Sequence, residues 1–116
     1  MKFKPEVRIY DFTDTSVMHI LEVLEITCPH GYDPTITSAN DGHKFHRGRG
    51  HKENRAFDVR VKDFPGFSLW RFKSTRWVID QWIIRMKPML PDSEYLILFG
   101  NDKRHKNHIH LERRKI

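Results

Sequence analysis

The chain has 116 residues, of which 38% are hydrophobic and 31% charged, which predicts one soluble globular domain rather than a disordered segment. The single cysteine, Cys28, excludes an intrachain disulfide framework, no apolar run reaches the ~20 residues of a membrane span, and residues 1–5 lack the apolar stretch of a secretory signal. The net charge of +6 favours a polyanionic partner such as nucleic acid, an anionic membrane or an acidic cell wall, although a basic surface without a specific partner carries the same charge.

The first predicted element is a helix that begins within residues 13–16, whose Thr, Asp and Ser side chains can cap a helix N-terminus. Its apolar residues follow the i, i+3, i+4, i+7 spacing of one helical face: Val17, Ile20, Leu21 and Leu24. Pro29 indicates where the helix ends. The chain then predicts a short strand at 35–38, a polar turn at 39–42, and a loop rich in Gly, Arg and His at 43–54.

Alternating residues predict a strand at 56–61, and a second helix is predicted at 75–86. The buried face of that helix is expected to carry Ile79, Trp82, Ile83 and Met86. Two more strands, at 95–99 and 108–112, are expected to pair like a hairpin. The order helix, strand, strand, helix, strand, strand predicts a single α+β domain over residues 1–116, in which helices pack on one side of a small antiparallel sheet.

Asp58 lies in the middle of the strand predicted at 56–61. Strand alternation places Ala56 and Asp58 on one face and their apolar neighbours on the other. A carboxylate in a core strand is costly unless a positive group holds it. Arg55, Arg60 or a metal ion could supply that charge.

A second polar cluster is the sequence His108-Ile109-His110 near the end of the chain. The same alternation places both imidazoles on one face of a strand and Ile109 in the core. Together with His51 and Asp58, one histidine of this pair completes a set of two histidines and one carboxylate. Such a set leaves one tetrahedral position open, which is typical of catalytic rather than structural zinc. We therefore expect a zinc site on the face of the sheet.

The segment 51–58, HKENRAFD, resembles the HxxGxAxD pattern of the zinc peptidases of the D-Ala-D-Ala carboxypeptidase and murein endopeptidase group, whose fold the Hedgehog signalling domain shares. Residues 36–42 resemble the strand and turn that precede this pattern in small phage-encoded members, and 108–112, HIHLE, resembles their final strand. Asn54 departs from the pattern, because the family usually has Gly there, and Arg49 stands where many members have Ser.

The resemblance implies that His51, Asp58 and His110 bind Zn²⁺, with His108 beside the metal. Members usually carry an acidic residue a few positions before the HxH pair, and it acts as the general base. Here the candidates for that role are His105 and Asp102. The predicted catalytic residues are therefore His105, His108 and Asp102. A cation that steadies the oxyanion is expected in the 43–54 loop, where the candidates are Lys44, His46 and Arg47.

By the same resemblance, the chain is expected to be a zinc metallopeptidase that hydrolyses an amide bond in the stem peptides of peptidoglycan. A chain without a signal peptide fits a phage-encoded endolysin, made in the cytoplasm and acting on the cell wall after release, or a virion component. The positive net charge suits an anionic wall.

Two other functions are open at this point. The first is a non-catalytic zinc-binding module of the same fold, in a virion or assembly protein. The second is a metal-dependent DNA nuclease, because rolling-circle initiators also carry a His-hydrophobic-His strand. Their catalytic tyrosine follows that strand, whereas Tyr10, Tyr32 and Tyr95 all precede His108 here. Nucleic acid is therefore not the expected partner.

Overall fold

The computed structural model describes residues 1–5, 14–29, 32–39, 55–61, 72–99 and 108–114. Within these ranges it contains two α-helices and one five-stranded β-sheet. The elements in chain order are β1 (Lys2–Phe3), α1 (Thr15–Thr27), β2 (Thr35–Ser38), β3 (Ala56–Arg60), α2 (Phe72–Met86), β4 (Tyr95–Leu98) and β5 (His108–Arg113). The strand order across the sheet is β1-β2-β3-β5-β4. Within the described ranges, no helix has both the length and the apolar character needed to cross a membrane.

The α+β architecture predicted from the sequence is confirmed, but the prediction of an antiparallel sheet is wrong. β1 pairs with β2 in parallel, through Lys2 N–H to the Pro34 carbonyl and Lys4 N–H to the Ile36 carbonyl, so the sheet is mixed. The other three pairings, β2 with β3, β3 with β5 and β4 with β5, are antiparallel. β2 has the predicted bounds, whereas α2 begins at Phe72, three residues before the predicted start at 75.

The hydrophobic core lies between the helices and one face of the sheet. The inner strands contribute Phe57 and Val59 from β3 and Ile109 and Leu111 from β5, all with no exposed surface. The same cluster contains the buried apolar residues of both helices: Val17, Ile20, Leu21, Val23, Leu24, Ile79, Trp82 and Met86. Both helices therefore pack on the same face of the sheet. The residues that face the core recur at the helical period in the helices and at every second position in the strands.

Side-chain hydrogen bonds fix the two helices to each other. The hydroxyl of Thr27 donates to the Val23 carbonyl at 2.6 Å and accepts from Trp82 Nε1 at 2.9 Å, so the indole N–H of the buried Trp82 is satisfied. The guanidinium of Arg85 donates from Nε and Nη2 to the Thr27 carbonyl, both at 3.1 Å, and places a positive charge at the C-terminus of α1. At the other end of α1, Asp14 caps the helix by accepting from Ser16 N–H at 2.8 Å.

The single cysteine is held just beyond the end of α1. Cys28 Sγ donates to the Tyr32 carbonyl at 3.0 Å. Partial burial is the main cause that raises the pKa of this thiol to about 11, with a smaller contribution from the charge of Asp33. The thiol is therefore protonated across the physiological pH range, and its hydrogen bond to the Tyr32 carbonyl is a structural contact.

Candidate metal centre

The face of the sheet turned away from the helices carries polar side chains from the two central strands. Because β3 and β5 are antiparallel, Asp58 lies directly opposite His110, and Arg60 lies opposite His108. Glu112 follows His110 by two residues along β5 and so shares its face. The alternation predicted for both strands is confirmed, since the intervening residues of β3 and β5 are in the core.

Asp58 and His110 form the closest pair on this face. Asp58 Oδ1 lies 2.9 Å from His110 Nδ1 and 3.9 Å from His108 Nε2. Asp58 and His110 are buried, with 6% and 9% of their surfaces exposed, whereas the side chain of His108 is 23% exposed. Imidazole therefore supplies the positive partner that a carboxylate in this strand needs. Arg55, one of the two arginines considered for that role, contacts a different carboxylate.

His110 is bridged between two carboxylates. Its Nε2 lies 3.1 Å from Glu112 Oε1, on the opposite edge of the ring from Asp58. Burial acts to lower the pKa of His110, but the hydrogen bonds to Asp58 and Glu112 outweigh it and raise the pKa to about 9. In the metal-free chain at neutral pH, His110 is therefore an imidazolium that donates to both carboxylates. Zinc must displace the proton on Nδ1 to bind there.

Arg55 contacts the carboxylate oxygen of Glu112 that does not face His110. Its Nη1 lies 3.5 Å from Glu112 Oε2 and donates to the Arg113 carbonyl at 2.6 Å. Arg113 N–H in turn donates to the Arg55 carbonyl at 2.8 Å. The side chains of Arg55 and Glu112 are only 15% and 18% exposed, so this ion pair is partly shielded from solvent.

Arg60 is a further cation on the same face. It lies opposite His108 across the β3–β5 ladder and opposite Thr35 across the β2–β3 ladder. Its Nε is buried and has no hydrogen-bond partner in the described part of the chain. A buried guanidinium nitrogen without an acceptor is unfavourable.

The structure brings together three of the residues predicted from the sequence: Asp58, His108 and His110. The others lie outside the described residues: His51, Asp102 and His105, and the loop cations Lys44, His46 and Arg47. The sequence reasoning did not assign Glu112 or Arg60 to the site. Strand alternation could have found both, because each follows a predicted site residue by two positions in the same strand.

The Asp58–His110 pair fits part of a zinc site. Carboxylate oxygen and imidazole nitrogen are both zinc donors. The 2.9 Å between Asp58 Oδ1 and His110 Nδ1 is a hydrogen-bond distance, so the fit to zinc rests on the donor types alone. Among the described residues, no group of three His, Cys, Asp or Glu side chains could hold a metal ion. No family model, no curated protein and no solved structure matches this chain.

Proposed function

We propose that this chain is a zinc-dependent peptidase that hydrolyses an amide bond in the stem peptides of peptidoglycan. The observation that carries the proposal is the buried pair of Asp58 Oδ1 and His110 Nδ1, 2.9 Å apart on the polar face of the sheet. The pair combines the two donor types of the predicted site and comes from strands that are far apart in sequence. The resemblance to the D-Ala-D-Ala carboxypeptidase and murein endopeptidase group adds the class of bond and polymer.

Asp58, His110 and, by the resemblance, His51 would hold the ion. When bound, zinc supplies a Lewis acid that polarises an amide carbonyl and lowers the pKa of a water molecule toward ~7. His108 is the candidate for proton transfer or for contact with substrate, because its side chain is more exposed than that of His110 and its Nε2 lies 3.9 Å from Asp58 Oδ1. His105 and Asp102 stay candidates for the general base.

The charge on this face supports an anionic substrate. Arg60 lies opposite His108 on this face and is half-buried, and a guanidinium is a suitable partner for a carboxylate of a stem peptide. The net charge of the whole chain, +6, also attracts a wall polymer that carries acidic groups.

The contacts of Tyr32 and Tyr95 argue against either residue as the nucleophile of a tyrosine-dependent nuclease; the third tyrosine, Tyr10, lies outside the described residues. The Tyr32 hydroxyl donates to the Arg60 carbonyl at 2.8 Å, and the Tyr95 hydroxyl donates to the Ser16 carbonyl at 2.6 Å. Both hydroxyls are therefore held by backbone acceptors. Burial also raises the pKa of Tyr95, which makes its phenolate, the nucleophilic form, less accessible.

Zinc content is the first test. The purified wild-type chain, reconstituted with zinc and dialysed, is expected to retain about one zinc per chain by inductively coupled plasma mass spectrometry. Asp58→Asn and His110→Gln should lose it, because each removes a donor. Asp80→Asn, which makes the same chemical change on α2 in a half-exposed pair with Arg76, should retain it. A wild-type chain that binds no zinc under these conditions would contradict the proposal.

Cleavage is the second test. The zinc-loaded chain is incubated with purified peptidoglycan, and new amino groups are quantified by dinitrophenylation while new reducing ends report glycan cleavage. Release of amino groups alone, abolished in Asp58→Asn and kept in Asp80→Asn, is the expected result. Zinc binding without any cleavage would identify a non-catalytic module instead, and nicking of plasmid DNA would identify the nuclease.

A further inference from the structure

The imidazole of His110 is contacted at both ring nitrogens, and the two contacts have different roles. Asp58 lies at Nδ1 and Glu112 at Nε2, at 2.9 and 3.1 Å. We propose that Glu112 is a positioning residue: it holds the N–H of Nε2 so that Nδ1 presents its lone pair to the metal beside Asp58. This inference rests on the proposed zinc site and goes beyond it, because Glu112 has no part in the predicted ligand set.

The strand geometry explains why Glu112 can reach the ring. Residues two apart on a strand share a face and are ~6.7 Å apart along it. A glutamate side chain at position 112 spans that distance and meets the outer nitrogen of His110. The two ring nitrogens point in divergent directions, so a metal at Nδ1 is out of reach of Glu112. Glu112 therefore acts on the ligand rather than as a ligand.

Arg55 fixes Glu112 in this position. Its guanidinium lies 3.5 Å from Glu112 Oε2, and the same Nη1 donates to the Arg113 carbonyl at 2.6 Å. Arg113 N–H bonds back to the Arg55 carbonyl, so side chain and main chain of Arg55 are both attached to the residue after Glu112. The sequence of contacts runs from Arg55 through Glu112 and His110 to Asp58. Metal-binding histidines commonly have a carboxylate on the other nitrogen, and it sets the tautomer.

Glu112 determines which tautomer the imidazole of His110 adopts. A neutral imidazole carries one N–H, and both Asp58 and Glu112 can accept it. With Glu112 present, the N–H stays on Nε2 and Nδ1 is available as a donor to zinc. Without Glu112, Asp58 is the nearest remaining acceptor among the described residues, which favours the N–H on Nδ1 and blocks the metal position. Removing Glu112 should therefore weaken zinc binding even though both proposed ligands on this face are kept.

The test is the zinc affinity of Glu112→Ala, measured by competition with a chromophoric chelator. We expect a loss of ~10–100-fold relative to the wild type, the usual effect of removing a carboxylate behind a histidine ligand. Glu112→Gln keeps an acceptor oxygen at the same reach and is expected to recover part of the loss. Glu22→Ala removes the same charge from an exposed position on α1 and should bind zinc like the wild type. Circular dichroism of each variant verifies that it is folded.

A second readout identifies the nitrogen that carries the proton. In a long-range ¹H–¹⁵N spectrum of the zinc-loaded wild type, His110 is expected to show the N–H on Nε2 and the metal on Nδ1. Metal on Nε2, or equal zinc affinity for wild type and Glu112→Ala, would overturn this inference and leave the proposed function standing. An equal loss in Glu22→Ala would also overturn it, because net charge would then explain the effect. A wild-type chain that takes up no zinc overturns both proposals.

Discussion

Removing metal should make the stability of this protein depend on pH through His110. Its pKa is raised from 6.5 to about 9 in the folded, metal-free chain, where burial opposes protonation but the contacts with Asp58 and Glu112 more than offset it. A raised pKa contributes stability that is fully present below pH 6.5 and is lost as the pH rises through 9. At ~1.4 kcal/mol per pKa unit, the full contribution is about 3 kcal/mol, of which about 2 kcal/mol is lost between pH 6.5 and 8.5.

The assay is urea unfolding at 25 °C in the presence of EDTA, at intervals across pH 6.5–8.5, for the wild type and His110→Gln. The free energy of unfolding of the wild type should fall by about 1 kcal/mol per pH unit relative to that of His110→Gln. Comparison with the variant removes the contribution of other groups, including Cys28, whose raised pKa lowers stability only as the pH rises through 9 and beyond. Parallel curves for the two proteins would refute the conclusion that His110 is a buried imidazolium held by two carboxylates.

Three further predictions concern the frame that supports the site. Thr27→Val keeps the shape of the side chain but leaves Trp82 Nε1 buried without an acceptor, so urea unfolding should show a loss of ~1–3 kcal/mol, with Thr27→Ser close to the wild type. Cys28 should react with a disulfide reagent at pH 8 ~10–100-fold more slowly in the folded than in the unfolded chain, because its pKa is raised from 9.0 to about 11 and fewer molecules carry the thiolate; comparable rates would contradict its described environment. Ile109→Ala should cost ~2–5 kcal/mol by leaving a cavity behind the site, whereas Ile26→Ala, at a residue 68% exposed, should change stability little.

Local sequence patterns predicted the central part of the fold. The alternation around Asp58 and around His110 gave the correct face for the residues to which it was applied, because one face of this sheet packs on the helices. It placed Phe57, Val59 and Ile109 in the core, where the structure has them. The spacing that ends at Met86 likewise identified the buried side of α2 from Ile79 onward, where Trp82 and Met86 are fully buried and Ile83 is partly buried.

The rest of the fold and of the candidate site depends on contacts that a local sequence pattern does not reveal. β1 has only two residues, too few for alternation to be visible, and its parallel pairing with β2 is set by backbone hydrogen bonds to Pro34 and Ile36. Alternation could also have placed Glu112 on the face of His110, but which ring nitrogen Glu112 contacts depends on side-chain rotamers. The predicted roles of His51, Asp102 and His105 stay predictions, since these residues lie outside the described ranges.

The position of β5 in the sheet has a consequence for how the protein folds. β5 follows all the other described elements in the chain but lies between β3 and β4 in the sheet. His110 in β5 and its partner Asp58 in β3 are 52 residues apart in sequence. Closing a loop of that size costs entropy before any contact compensates for it, so the central ladder is expected to form slowly compared with the helices. A nascent chain that ends before His108 would contain both helices, but the edge of β3 that pairs with β5 would lack its hydrogen-bond partners, and β4 would lack the strand with which it pairs. Recognition of incompletely folded chains as substrates for degradation should therefore depend most on whether β5 is in place. This is the strand that supplies both histidines of the candidate metal centre.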